Sequence, residues 1–152
     1  MFVDACAIIA LLSDEPEAAR VSDAVASARH PFTSPVAVLE TVLGLARPDK
    51  FNLPVPAVET IVMEFLEARE IEVRDLPPAS ETTRLALVAA HRYRGGRHGL
   101  NLGDCLHYAC AKFHGVPILP RRTSSGRPTS KAFLEPAEAV TPKSARRYPV
   151  RL

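Results

Sequence analysis

Three acidic residues of this 152-residue chain stand in apolar surroundings, where a carboxylate is costly to bury. Asp4 ends a short apolar segment, Glu40 lies on the helix face that we expect to pack inward, and Asp104 begins an apolar helix. The apolar residues of that predicted inward face are Val36, Leu39, Val42 and Leu43. A buried carboxylate needs a charge or a hydrogen-bond partner, since its desolvation otherwise costs several kcal/mol. For Asp104 alone, a role as a helix N-cap is the alternative.

Three such acids in one small domain favour a cation site. Hard divalent cations such as Mg²⁺ bind carboxylate oxygens and water, and they keep open positions for phosphate oxygens. A bound metal lowers the pKa of its water ligand and offsets charge on a scissile phosphate. The acids and their surroundings therefore predict metal-assisted hydrolysis of a phosphodiester bond.

The elements that must position these acids alternate between short strands and helices. Strands are predicted at residues 2–4, 32–33, 71–73 and 116–119, and helices at residues 6–13, 18–28, 57–69, 80–93 and 104–114, with a further helix beginning at Ser34. This alternation is typical of βαβ units and predicts an α/β fold with a parallel sheet. Asp4 would lie at the carboxyl edge of that sheet, where open α/β folds bind their ligands.

Composition excludes several other classes of protein. Hydrophobic residues make up 47% and charged residues 24%, as in ordinary globular domains. The apolar run at residues 5–12 is too short to cross a bilayer and has no basic leader, so we expect neither a membrane span nor a signal peptide. The cysteines are Cys6, Cys105 and Cys110. Without CxxC spacing they form neither a disulfide framework nor a zinc knuckle, so we expect the reducing cytoplasm as the compartment.

Charge is unevenly distributed along the chain. Residues 120–152 carry eight basic and two acidic side chains, whereas residues 1–119 carry 11 basic and 15 acidic ones, within a net charge of +2. The last segment also contains five prolines and little apolar periodicity. We therefore predict a folded domain over residues 1–119 and an atypical basic, Pro-rich tail over residues 120–152 that is a loop or disordered.

Four segments, in this order, resemble the PIN-domain family. Residues 1–7 resemble its opening strand with Asp-x-Ser-Ala, and residues 36–41 resemble the helix that carries its second acid. Residues 94–109 are similar to the G-R-H…N-x-G-D-C-x-x-Y-A stretch of VapC toxins, the ribonuclease half of toxin–antitoxin pairs. Residues 115–119 resemble the family's G-x-P-L-L strand, so the resemblance covers residues 1–119.

The resemblance implies a fold, an activity and partners. The fold is a PIN-like α/β/α sandwich with a short-stranded parallel central sheet, in a homodimer. The activity is that of an endoribonuclease that needs Mg²⁺, or Mn²⁺ as a substitute, and cuts structured RNA such as tRNA. A cognate VapB-type antitoxin would block the site. Asp4, Glu40 and Asp104 would be the catalytic metal ligands, and Asn101 would order the loop before Asp104.

Three further residues belong to the site that the resemblance implies. Arg97 and His98 would contact substrate phosphate; the alternative is a solvated basic loop. Cys6 stands where the family usually has Ser, whose hydroxyl can hold an acid or a metal-bound water, and a thiol is a poorer hydrogen-bond partner. We interpret Cys6 as a small core residue, with reduced activity as the alternative.

The helix that begins near Asp104 carries other residues able to do chemistry. His107 follows Asp104 by one turn, so both can face one side of the helix. We interpret His107 as a surface or supporting residue rather than a metal ligand. Cys105 and Cys110 are expected to pack as small hydrophobes.

After Leu119 the chain departs from the family pattern. The family continues with a Gly- and Asp-rich loop and Asp-Phe-x-x-Thr-Asp-Ile, which supply a fourth acid, whereas this chain has no acid before Glu135. Standard codons for residues 123–131, read one base earlier, can yield Asp-Phe-x-Arg-Thr-x-Asp-Ile-Glu. A change of reading frame is therefore one explanation, and a divergent tail is the other.

The missing acid leaves two functional hypotheses. A pocket with three acids carries less negative charge, so it should bind Mg²⁺ more weakly and cleave RNA more slowly. The chain is then a VapC-like nuclease of reduced activity. The alternative is a catalytically impaired PIN-fold protein that retains antitoxin binding and dimerisation.

Overall fold

A computed structural model of the protein describes residues 1–93 and 99–119, where short strands and helices alternate. The strands are β1 (Phe2–Val3), β2 (Phe32–Thr33), β3 (Glu72–Val73) and β4 (Ile118–Leu119). The helices are α1 (Ala5–Leu12), α2 (Ala18–Ala26), α3 (Pro35–Leu45), α4 (Val55–Ala68), α5 (Ala79–Tyr93) and α6 (Leu102–Phe113). Every strand and helix predicted from the sequence is present.

The four strands form one parallel sheet in the order β3-β2-β1-β4. Phe2 of β1 lies opposite Phe32 of β2 and opposite Ile118 of β4. The carboxyl ends of all four strands therefore meet at one edge of the sheet. The predicted α/β fold with a parallel sheet is confirmed.

Side chains of β1 alternate between the two faces of the sheet, and helices cover both faces. Val3 belongs to a buried core that it shares with α1, α2, α3 and α4. Phe2 points to the opposite side, where its ring contacts Phe32 edge-on at 5.6 Å and packs with Cys110 of α6. Helices on both faces make the predicted α/β/α sandwich. Cys105 and Cys110 are both buried, as predicted for small hydrophobes.

The predicted inward face of α3 is confirmed for Val42 and wrong for Leu39 and Leu43. Leu39 and Leu43 are 58% and 51% exposed, and the buried side of the helix is formed by Ala37, Thr41, Val42 and Leu45. This helix packs against α1, α4 and α6, so small side chains at the crowded contacts decide its orientation. Thr41 can be buried because its hydroxyl donates a hydrogen bond to the Ala37 carbonyl at 2.7 Å.

The longest helices described are α4 and α5, with 14 and 15 residues. Each buries one side: Val58, Val62 and Leu66 of α4 and Leu85 and Ala89 of α5. None of the helices within residues 1–93 and 99–119 has the length and apolarity needed to cross a membrane.

Candidate active site

Asp4 lies at the carboxyl end of β1 and caps α1. Its Oδ1 accepts a hydrogen bond from the Ala7 N–H at 2.8 Å, and the Cys6 N–H also donates to the carboxylate. The side chain is almost completely buried. Burial raises the pKa of the Asp4 carboxyl to about 7, although the bond from Ala7 opposes the shift. A charge at this position is therefore costly to the isolated domain.

Asp104 lies in the first turn of α6 and is held by Asn101. The Asn101 Oδ1 accepts from the Asp104 N–H at 2.8 Å, and the Asp104 Oδ2 accepts from the Asn101 N–H at 2.9 Å. This reciprocal pair is a capping box, with Asn101 as the N-cap. The alternative role of Asp104 as the N-cap is therefore wrong. The capping box holds the turn between Asn101 and Asp104, and a supporting role of Asn101 in the site stays a prediction.

Glu40 extends from α3 towards the first turn of α6. A Cβ placed on Gly103 would overlap the Glu40 carboxylate, with its Cδ only 2.7 Å away. Glycine therefore provides the space that the carboxylate occupies. Partial burial, followed by the charge of Asp104, raises the pKa of the Glu40 carboxyl.

The charges of the three predicted acids act on one another at the carboxyl edge of the sheet. Asp104 and Glu40 both raise the pKa of Asp4, and Asp104 raises that of Glu40. Within the described ranges, no Lys or Arg forms an ion pair with any of the three. Among the residues that the structure describes, the three carboxylates therefore act on one another electrostatically and have no Lys or Arg as an ion-pair partner.

The donor set fits a hard divalent cation because all three side chains offer carboxylate oxygens. In residues 1–93 and 99–119, no three His, Cys, Asp or Glu side chains converge at the spacing that a bound ion imposes. Like charges repel one another in the absence of a cation, and this repulsion opposes convergence of the acids. A metal ion would require them to draw together.

His107 is a buried residue of α6 and lies next to Glu40. Its Nε2 is 3.2 Å from the Glu40 Oε2, and its ring packs on Phe2 with the ring centroids 5.5 Å apart. Burial lowers the pKa of His107 to about 4 against the opposing effect of Asp104, so the imidazole is neutral at pH 7. Of the two interpretations of His107, as a surface residue or as a supporting residue, the first is wrong, because only 4% of the residue is exposed. The sequence signal for the contact between His107 and Glu40 was that His107 follows Asp104 by one helical turn.

Cys6 is exposed, which corrects its interpretation as a core residue. Its neighbours Ala5 and Ala7 are buried, so the second position of α1 is the one that faces outward. Cys6 therefore supports Asp4 through its backbone N–H rather than by filling space in the core.

Two groups of predicted residues lie outside the described ranges. Arg97 and His98 fall within residues 94–98, and the basic tail falls within residues 120–152. The predicted phosphate contacts and the predicted domain boundary at residue 119 therefore stay predictions.

Comparisons with known proteins identify the family of the chain. The PIN-domain profile matches residues 1–122. Ribonuclease VapC28 of Mycobacterium tuberculosis is 37% identical over 122 residues, covering 78% of this chain and 86% of the relative. Ribonuclease VapC30 of the same species is 34% identical over 128 residues, covering 78% and 87%. Ribonuclease VapC of Mycolicibacterium smegmatis is 32% identical over 121 residues, covering 78% and 88%. The chain therefore belongs to the PIN-domain family, in its VapC group.

Proposed function

We propose that the chain is the toxin of a VapBC-type toxin–antitoxin pair, a metal-dependent endoribonuclease that hydrolyses phosphodiester bonds in structured RNA such as tRNA. The observation that carries the proposal is the buried Asp4 carboxylate, which has two acids near it and no basic ion-pair partner in the described ranges. A cation would offset this charge. The relatives compared above are ribonucleases by name, which supports the same activity.

Asp4, Glu40 and Asp104 would hold Mg²⁺, with Mn²⁺ as a substitute. When bound, the metal supplies a water of lowered pKa and charge to offset that of the scissile phosphate. The carboxylates come from three separate elements, and helix caps hold two of them in place. Asp4 is fixed by the cap of α1 and Asp104 by the capping box of α6. The amino ends of these helices add partial positive charge beside the acids.

Substrate binding is assigned to the loop before α6. Arg97 and His98 would contact RNA phosphates, since basic side chains supply most of the affinity for a nucleic-acid backbone. Asn101 supports the site by holding Asp104, and Cys6 supports it next to Asp4. The role of Arg97 and His98 rests on their place in the sequence.

We propose a VapB-type antitoxin and a second copy of the chain as protein partners, with the cytoplasm as the compartment. Leu39 and Leu43 expose apolar side chains on the helix that carries Glu40. Apolar surface of this kind is suited to contact with a protein partner.

A catalytically impaired protein that keeps antitoxin binding and dimerisation is the second candidate function. The observation that favours it is the absence of an acid between Leu119 and Glu135, where the family supplies its fourth. A change of reading frame after Leu119 would explain this loss. Sequencing the gene tests it, because a frame that encodes the family pattern must then be present in the DNA.

The proposed activity is tested by incubating total tRNA with the purified full chain in Mg²⁺, in Mn²⁺ and in EDTA. Asp4→Asn is the matched control, since an Asn side chain can keep the cap on α1 while removing the charge. Cleavage that needs both the metal and Asp4 is the expected result. A folded chain that cleaves in neither metal contradicts the nuclease and favours the second candidate.

A further inference from the structure

Gly103 and His107 form a notch on one face of α6 that receives the Glu40 carboxylate. They are four residues apart, so their positions lie above one another on the helix. Glu40 occupies the space of the missing Cβ at Gly103 and lies 3.2 Å from the His107 Nε2. One helix thus contacts the end of a side chain that another helix supplies.

Packing alone does not explain why residue 107 is a histidine. Its ring covers Phe2, a contact that a leucine could also make. Its Nε2 is excluded from solvent and, as the described residues stand, makes no hydrogen bond. The distance from Nε2 to the Glu40 Oε2 is within the range of a hydrogen bond, although the two groups as they stand do not form one. A small rotation of the Glu40 carboxyl group would complete the bond and satisfy both polar groups.

We propose that His107 is a positioning residue, which donates its Nε2–H to Glu40 and, together with Gly103, holds that carboxylate towards Asp4 and Asp104. This inference rests on the proposed metal-dependent function. Glu40 has a long and partly exposed side chain with several rotamers, so without a fixed partner it would spend little time facing the other acids. Groups that orient metal ligands in this way typically change metal affinity by about 10–100-fold when they are removed.

The first test measures Mn²⁺ binding by electron paramagnetic resonance in full-length His107→Leu and His107→Gln. Leu keeps the bulk against Phe2 and removes the donor, whereas Gln keeps an N–H donor. We expect His107→Leu to weaken Mn²⁺ binding by about 10–100-fold and His107→Gln to recover most of the affinity. His114→Leu is the matched control, since His114 lies at the end of the same helix against Phe32 and Phe113 and should leave the affinity unchanged.

The second test changes the other residue of the notch, in the variant Gly103→Ala. A methyl group there would displace the Glu40 carboxylate, while alanine suits a helix better than glycine. We expect weaker Mn²⁺ binding with an unchanged or higher melting temperature. A folded Gly103→Ala protein that binds Mn²⁺ as the wild type does contradicts the notch.

The third test follows the ring nitrogens of His107 by ¹⁵N NMR in the metal-free protein. A proton on Nε2 and a shift of its resonance in Glu40→Gln support the inference without any metal or RNA. No shift in Glu40→Gln, or equal Mn²⁺ affinity in wild type and His107→Leu, overturns it. If the His107 resonance shifts in Glu40→Gln but the wild-type protein cleaves no RNA, the proposed function alone is overturned. If the wild-type protein cleaves RNA but the His107 resonance does not shift, this inference alone is overturned.

Discussion

The β1–α1 and β2–α3 connections have the same geometry but different capping residues, one acidic and one neutral. Each follows a two-residue strand and places an extended residue before a helix. Asp4 accepts a hydrogen bond from the Ala7 N–H at 2.8 Å, and Ser34 accepts one from the Ala37 N–H at 3.3 Å. Both capping residues are buried directly after neighbouring strands, but only Asp4 can carry a charge.

Ser34 shows that a connection of this kind can be capped without a carboxylate. Ser34 satisfies the same backbone position with a neutral hydroxyl, so the charge of Asp4 is additional to capping. Burial already raises the pKa of Asp4, and the nearby charges of Asp104 and Glu40 raise it further. A serine at residue 4 would avoid the energetic cost of burying a charge. Because Asp4 bears that cost beside two other acids, we infer that its charge serves function rather than folding.

The largest expected effect is that of Asp4→Ser, which copies the β2–α3 cap into β1–α1. Its hydroxyl keeps an acceptor for α1 but removes a proposed metal ligand. We expect RNA cleavage to fall by about 1,000-fold, because metal neutralisation of charge contributes several kcal/mol to the transition state. Initial rates on tRNA in Mn²⁺ measure the loss, and circular dichroism checks the fold. Normal cleavage by a folded Asp4→Ser chain would show that the acid at residue 4 serves only as a cap.

The reverse exchange, Ser34→Asp, should destabilise the domain by about 3–5 kcal/mol. Asp also caps helices well, so the change isolates the cost of a second buried charge beside β1. Chemical denaturation at pH 8 measures it against Ser34→Asn, which is similar in size and neutral. Equal stability of the Asp and Asn variants would mean that this edge of the sheet tolerates charge without a cation.

The third prediction concerns pH in metal-free protein. The pKa of Asp4 is about 7 in the fold against an ordinary value of 3.8, so the folded state retains its proton longer than the unfolded state. The stability that this group contributes is therefore present at low pH and is lost as the pH rises through 7. Between pH 5 and pH 8 we expect Asp4→Asn to gain about 2–3 kcal/mol relative to wild type. Unfolding curves in EDTA measure the difference, and parallel pH profiles would contradict it.

The smallest effect is expected for Cys6→Ser, which restores the residue type usual in the family. Cys6 is exposed, so its replacement should leave the unfolding free energy within about 0.5 kcal/mol of wild type. A hydroxyl is a better hydrogen-bond partner than a thiol, and we expect cleavage to rise by about two- to fivefold. Cys110→Ser is a contrasting variant, since a hydroxyl in the buried core should lower stability. Unchanged cleavage would show that the side chain of residue 6 takes no part in the site.

The sequence predicted the elements well because their signals are local. Short apolar segments, helix-capping residues and prolines depend on a few neighbours in the chain, and every predicted strand and helix is present. The location of Asp4 at the carboxyl edge followed from the same reasoning. The predicted inward face of α3 was right for Val42 but wrong for Leu39 and Leu43, which are more apolar than the buried Ala37 and Thr41. Burial there depends on how closely neighbouring helices approach.

The amino-acid sequence by itself determined the order of the elements and the edge at which Asp4 lies, since strand direction and capping are properties of short segments. Only the tertiary structure decided that Glu40 lies in a notch between Gly103 and His107, and that Cys6 faces outward. These outcomes depend on contacts between helices that are distant in the chain. Backbone separation, rather than the polarity of any one residue, decides which side chain fills the space between them.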